Sequence, residues 1–256
     1  MVEHAVNVPQ FLEELDGALH KKDYASAERV LLRELEAAEA ANDRKSRLTV
    51  LNEQIGLYRK LGRERECLQA ADAALESVRE QRLCGTVTGA TTFINAATGY
   101  KAFGRADCAL PLYRQAKEVY EKRLGAGDGR LAALYNNMAL TLTDLQLYDE
   151  ALALYEKAID ILQTQEHPEP DTAVTYLNMA DLVTARYGPE QAERQAAAYL
   201  DRAESLLDTE GLPKDGYYAF VCEKCAPVFE AYGYFRTKQK LERRASEIYN
   251  RLQADL

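Results

Sequence analysis

"LYNNMALTLTDLQLYDEALALYEKAIDIL", residues 134–162, sets two adjacent asparagines, Asn136 and Asn137, inside an amphipathic helical pattern. Asparagine is a mediocre helix former because its side chain competes for backbone hydrogen bonds, so the pair asks for a reason. Tyr135, Met138, Ala139 and Leu142 fall on one helical face, and after a turn Tyr148, Ala151, Tyr155 and Ala158 fall on a second. That spacing predicts two helices joined by a short turn.

The same pattern lies 42 residues upstream in "FINAATGYKAFGRADCALPLYRQAKEVY", with Phe93, Ala96, Ala97, Tyr100, Gly104, Ala109, Tyr113 and Ala116. Weaker copies begin at Phe11 and Leu51 before it and at Tyr176 and Cys222 after residue 162. The anchors at 11, 51, 93, 135, 176 and 222 are 40, 42, 42, 41 and 46 residues apart. A chain without low-complexity sequence does not keep such a period unless it is a repeat array. No single helix pair can bury its apolar face alone, so neighbours stack into one continuous core.

With these anchors the chain resembles a tetratricopeptide repeat (TPR) protein. The period near 42 and the phrase "EHPEPDTAVTYLNMA" resemble the longer-repeat subclass of kinesin light chains and bacterial TPR regulators. The resemblance implies an all-α fold, a right-handed superhelical solenoid of about six helix-turn-helix pairs. It is expected to be one domain over 1–256, with repeats at approximately 8–41, 48–82, 90–124, 132–165, 173–209 and 217–253. The anchor tryptophan of the family is absent, Gln54 takes an apolar position, and Pro227 is expected to interrupt the first helix of the last repeat. Gly188 should end one helix, with Pro189 opening the next.

With Tyr135 as reference, Asn136 lies about 100° and Asn137 about 200° round the helix, away from the packed stripe. The register of Asn137 reads Glu13, Glu53, Asn95, Asn137, Asn178 and Lys224; the neighbouring one reads Leu12, Asn52, Ile94, Asn136, Leu177 and Glu223. The resemblance implies that first helices line a concave groove in which asparagines of this register bind extended backbone. An amide offers both donors and an acceptor to a peptide's N–H and C=O groups. Asn52, Asn95, Asn136, Asn137 and Asn178 are therefore candidate ligand-binding residues, with Arg59 and Lys101 as cations at the groove edge that could receive carboxylates. The competing structural reading is that the asparagines tie adjacent helices together.

Composition excludes several classes. A formal charge of -9, from 41 acidic and 32 basic residues, disfavours nucleic acid and anionic membranes as partners. The start lacks signal-peptide character, no window approaches 18 apolar residues, and five scattered cysteines suit a reducing compartment, so a cytoplasmic location is expected. Cys222 and Cys225 ("CEKC") have no second pair, and His4, His20 and His167 form no metal or catalytic pattern. "GAGDG" at 125–129 lacks the strand and lysine of a phosphate loop. No cofactor, metal or enzymatic activity is expected.

The expected function is a non-enzymatic scaffold or adaptor that binds a protein or peptide segment in the groove. The alternatives are a structural module self-associating through a solenoid end, with Pro227 and the carboxy end as candidate contact, or a peptide-responsive sensor. The last would act in trans, since no effector domain fits upstream of Phe11. The sequence leaves the oligomeric state open.

Overall fold

The computed structural model describes residues 6–254. The described chain is all-α, a helical-repeat solenoid whose twelve helices fall into two compact units, Met1–Leu124 and Gly125–Leu256. The first unit holds α1 (Val8–His20), α2 (Tyr24–Ala40), α3 (Arg44–Lys60), α4 (Glu64–Glu80), α5 (Val87–Ala102) and α6 (Ala106–Arg123). The second holds α7 (Gly129–Asp144), α8 (Tyr148–Leu162), α9 (Glu169–Tyr187), α10 (Pro189–Leu207), α11 (Gly216–Ala231) and α12 (Phe235–Ala254). Within each unit consecutive helices pair, and first helices also meet directly, α3 with α5, α7 with α9, and α9 with α11.

Local sequence fixes the helix ends. Asp23 and Asp43 cap α2 and α3 by accepting from the backbone N–H of Ser26 and Ser46, while those serine hydroxyls donate back to the same carboxylates. Thr86, Asp128 and Asp215 cap α5, α7 and α11 in the same way, each satisfying a donor the helix start leaves open. The turn inside every pair holds one residue at positive φ: Lys22, Gly62, Gly104, Gln146, Gly188 and Gly233. Glycine adopts that conformation without penalty, so its recurrence at this step lets the second helix fold back on the first. Lys22 and Gln146 reach the same backbone against their own Cβ.

Small residues set the spacing between helices. Ala71, Ala109, Ala151 and Ala203 are fully buried, and Tyr113, Tyr155, Tyr218 and Phe229 fill the space they leave. Two equivalent tyrosines differ in their hydroxyl environment. Tyr113 shares a 2.9 Å hydrogen bond with Thr98. The Tyr155 hydroxyl has no hydrogen-bond partner among the described residues, and Leu140 takes the place of Thr98.

The structure corrects one expectation: α11 runs unbroken through Pro227. Pro227 lies on the exposed side of the helix, where the carbonyl of Glu223, deprived of its usual donor, faces water instead of a dry core. Gly188 separates α9 from α10 at φ 80°, and Pro189 is the first residue of α10. The terminal helix α12 is tied to α10: Lys240 contacts Glu204 at 2.6 Å and Asp208 at 2.7 Å, and Arg244 contacts Asp208 at 2.7 Å.

Candidate functional site

All five candidate asparagines are half-buried on first helices, yet their side chains have three different occupations. In the first unit Asn52 of α3 is a bridge. Its Nδ2 donates to the Leu48 carbonyl at 2.9 Å and to Thr92 Oγ1 at 3.1 Å, and its Oδ1 accepts from Asn95 Nδ2 at 2.9 Å. Thr92 is buried in α5 and donates its own proton to the Thr88 carbonyl, which leaves its oxygen free to receive the amide. The second unit repeats the arrangement. Asn136 of α7 donates to Thr175 Oγ1 at 2.8 Å and accepts from Asn178 Nδ2 at 3.4 Å, while Thr175 donates to the Asp171 carbonyl.

Asn52 and Asn136 thus clamp neighbouring first helices, which accounts for one asparagine of the opening pair. Asn95 and Asn178 each spend one N–H on the clamp. Asn137 makes no side-chain hydrogen bond to the described residues; only its backbone carbonyl is used, by Thr141. An amide has two donors and an acceptor with two lone pairs, so capacity for a ligand is smallest at Asn52 and Asn136 and largest at Asn137.

Sequence reasoning did not find Thr92 and Thr175. Their signal is an asparagine followed about 40 residues later by T-x-x-N: Asn52 with Thr92 and Asn95, Asn136 with Thr175 and Asn178. Only a reading across two registers at once exposes it. The same applies to Tyr217 and Phe220, exposed aromatics of α11 outside the packing stripe.

The charged candidates lie apart from the clamps. Arg59 is exposed in the last turn of α3, and Lys101 is half-buried and engaged in the last turn of α5. Cations at a helix C-terminus interact favourably with the helix dipole whatever else they do. Lys60 lies over the Tyr24 ring, 5.5 Å from its centroid. At the register where later repeats carry asparagine, α3 carries Glu53, whose carboxyl is pushed above its ordinary range by burial and further by the negative charge of Asp16.

Among the described residues no group of three or more His, Cys, Asp or Glu is placed to hold a metal ion; His4 lies outside the described residues. Cys222 and Cys225 are buried, and burial pushes the Cys225 thiol up to about 12. A thiol so far from its thiolate is a packing group rather than a nucleophile. No described helix is long and apolar enough to cross a membrane.

The geometry is that of a helical-repeat protein, and comparison with known proteins agrees. Residues 130–205 match the tetratricopeptide repeat family, so the pairs α7–α8 and α9–α10 are TPR units. Among solved structures, the chain resembles the nearly identical TPR-like repeats of a kinesin light chain assignment from Podosopora anserina at 16% identity, covering 81% of this chain and 97% of that one with a TM-score of 0.55. It also resembles the apo form of RapI at 15% identity, covering 95% and 83% with a TM-score of 0.61. A Rap protein complexed with Competence and Sporulation Factor is similar at 14% identity, covering 94% and 63% with a TM-score of 0.59. No curated protein sequence matches the chain significantly. At these identities the likeness establishes the fold.

Proposed function

We propose that the chain is a non-enzymatic cytoplasmic scaffold that binds an extended protein or peptide segment along its first-helix faces without a cofactor. The observation that carries the reading is the unspent capacity of the outward amides. Asn137 is half-buried with its side-chain hydrogen-bonding groups unused by the described residues, and Asn95 and Asn178 keep their carbonyl oxygens and one N–H each. A half-buried amide in a mediocre helical position is poorly explained by folding alone, and it matches the alternating donors and acceptors of extended backbone. Arg59 and Lys101 are proposed to favour acidic side chains at the edge of the first unit's face. A peptide-responsive regulator acting in trans is the second reading, supported by the likeness to the Rap protein complexed with Competence and Sporulation Factor.

The test is an arrayed library of unmodified peptides probed with the wild type, with Asn95→Ala, Asn137→Ala and Asn178→Ala singly, and with the triple variant. Binding that falls at least tenfold in the triple variant, with helicity intact, supports the reading; this corresponds to about 1.4 kcal/mol, the scale of one or two lost hydrogen bonds. Binding untouched by all three substitutions overturns it.

A further inference from the structure

The three turns that join the helix pairs of the first unit lie side by side along one edge. Lys60, at the end of α3, sits over the Tyr24 ring that opens α2, 5.5 Å from its centroid, and Arg105, just before α6, contacts Glu64 of α4 at 3.0 Å. Over residues 21–24, 59–66 and 101–107 this edge carries eight basic and four acidic residues, in a chain whose formal charge is -9. Most of its acids are spent. Asp23 accepts from Ser26, Glu64 pairs with Arg105, and Glu66 pairs with Arg63, which also takes Glu28 of α2 at 2.7 Å. Lys21, Arg59, Lys60 and Arg65 are exposed and make no ion pair with the described residues.

Helix stability explains only part of this excess. Arg59 and Lys60 complement the negative end of α3, yet α7 and α11 form without any basic residue in the last turn. Arg63, Arg65 and Arg105 stand at the starts of α4 and α6, the positive ends, where a cation is unfavourable. Residues 1–124 contain 19 acidic and 19 basic residues, so the edge is a positive patch on a unit that is neutral as a whole.

We propose that this turn edge is a docking surface for an acidic segment of another protein, whose carboxylates take the exposed cations. Charge complementarity selects that occupant. Lysines and arginines without an ionic partner can form charge-assisted bonds to carboxylates with no existing pair to break, while the pairs made by Arg63 and Arg105 hold the turns together beneath them. Packed helices lie about 10 Å apart and an extended chain advances about 3.3 Å per residue, so an acid at every third residue meets successive turns. A nucleic acid suits the edge less well. It meets the field of the whole net-negative chain, whereas a short segment responds mainly to charges within a screening length of about 8 Å. The edge is separate from Asn95, Asn137 and Asn178, and the proposal does not rest on their binding a peptide. Arg59 borders both surfaces, so the test uses Lys60 and Arg65.

That test is the fluorescence anisotropy of a labelled peptide with glutamate at every third residue and glycine and serine between, titrated with the full chain. Salt is set at about 0.1 M and about 1 M, where screening lengths are about 10 Å and about 3 Å. Circular dichroism confirms that each variant folds. Binding is expected at the lower salt and should fall at least tenfold at the higher. The double variant Lys60→Glu/Arg65→Glu should weaken it at least tenfold at the lower salt. Lys157→Glu/Arg194→Glu, an equal change of charge at exposed sites of the second unit, should leave it unchanged, as should the triple alanine variant of Asn95, Asn137 and Asn178. No binding at the lower salt overturns the proposal, and so does equal weakening by the two charge-reversed variants. Loss of binding in the asparagine variant would place the acids on the amide faces and overturn it too, as would tighter binding of a DNA duplex than of the peptide.

Discussion

Replacing Asn136 and Asn137 separately by alanine isolates the clamp from everything else the two residues share. Both lie in the interior of α7, so each substitution gains the same helix propensity, about 0.6 kcal/mol in favour of alanine. Asn136→Ala also removes the 2.8 Å bond to Thr175 and the 3.4 Å bond from Asn178. The first is well formed and contributes about 1 kcal/mol; the second is long and contributes about 0.5 kcal/mol. Neither partner is stranded, because Thr175 still donates to Asp171 and Asn178 is half exposed to water, so no further desolvation penalty arises. Asn136→Ala should therefore destabilise by about 1 kcal/mol and Asn137→Ala should stabilise by about 0.6 kcal/mol, a separation of about 1.5 kcal/mol. Urea denaturation of both variants measures it, and in thermal melting the two should differ by about 3–6 °C for a chain of this size. Thr175→Val combined with Asn136→Ala should be less than additive, since they remove the same bond. Equal stabilities for the two alanine variants would refute the assignment of the clamp to Asn136.

Three further outcomes follow from the packing. Glu53 has a raised folded-state pKa, so its stabilising contribution is present below the ordinary carboxyl range near 4.5 and is lost as pH rises through the raised value; Glu53→Gln should raise the melting temperature at pH 7 and have no effect near pH 4, and an equal effect at both pH values would exclude the electrostatic cause. Gln146 holds φ 61° at the turn position where other pairs use glycine, so Gln146→Gly should stabilise by about 0.5 kcal/mol in chemical denaturation, the relief of strain exceeding the added unfolded-state entropy; a loss would show that the side chain contributes more than its backbone costs. Tyr113→Phe should cost about 1 kcal/mol by removing the bond with Thr98, whereas Tyr155→Phe, which removes a hydroxyl without a partner among the described residues, should be neutral or stabilising; similar losses in the two melts would point to an ordered water on Tyr155.

The helices were legible because their signals are local and repeated. A buried alanine every repeat and a glycine–proline step between helices each act within a few residues, so Gly188 as the end of α9 and Pro189 as the start of α10 read correctly without any knowledge of neighbours. Pro227 misled because proline's cost in a helix depends on which side it faces. On the exposed side of α11 the lost hydrogen bond is made up by water, and the helix continues. That the asparagines could tie adjacent helices together was legible, but the threonine partners escaped for a different reason. Asn52, Thr92 and Asn95 are joined across 40 residues of chain, and each looks like an ordinary polar residue within its own helix.

The clamps also bear on how the asparagines divide their work. A bridging amide needs its neighbour in the next repeat, so Asn52 and Asn136 each require a T-x-x-N in the following first helix, and both have one. Asn95 and Asn178 meet that requirement as receivers, since each stands at the end of a T-x-x-N. Asn137 does not: Leu134 occupies the threonine position before it and Ile94 the bridging position one repeat earlier. By register, neither of the residues that complete the two clamps stands at the position matching Asn137. The retention of asparagine there, at a site where alanine would give a better helix, is the reason to test ligand binding first at this residue. The adjacent Asn136 then serves as the control that reports on folding.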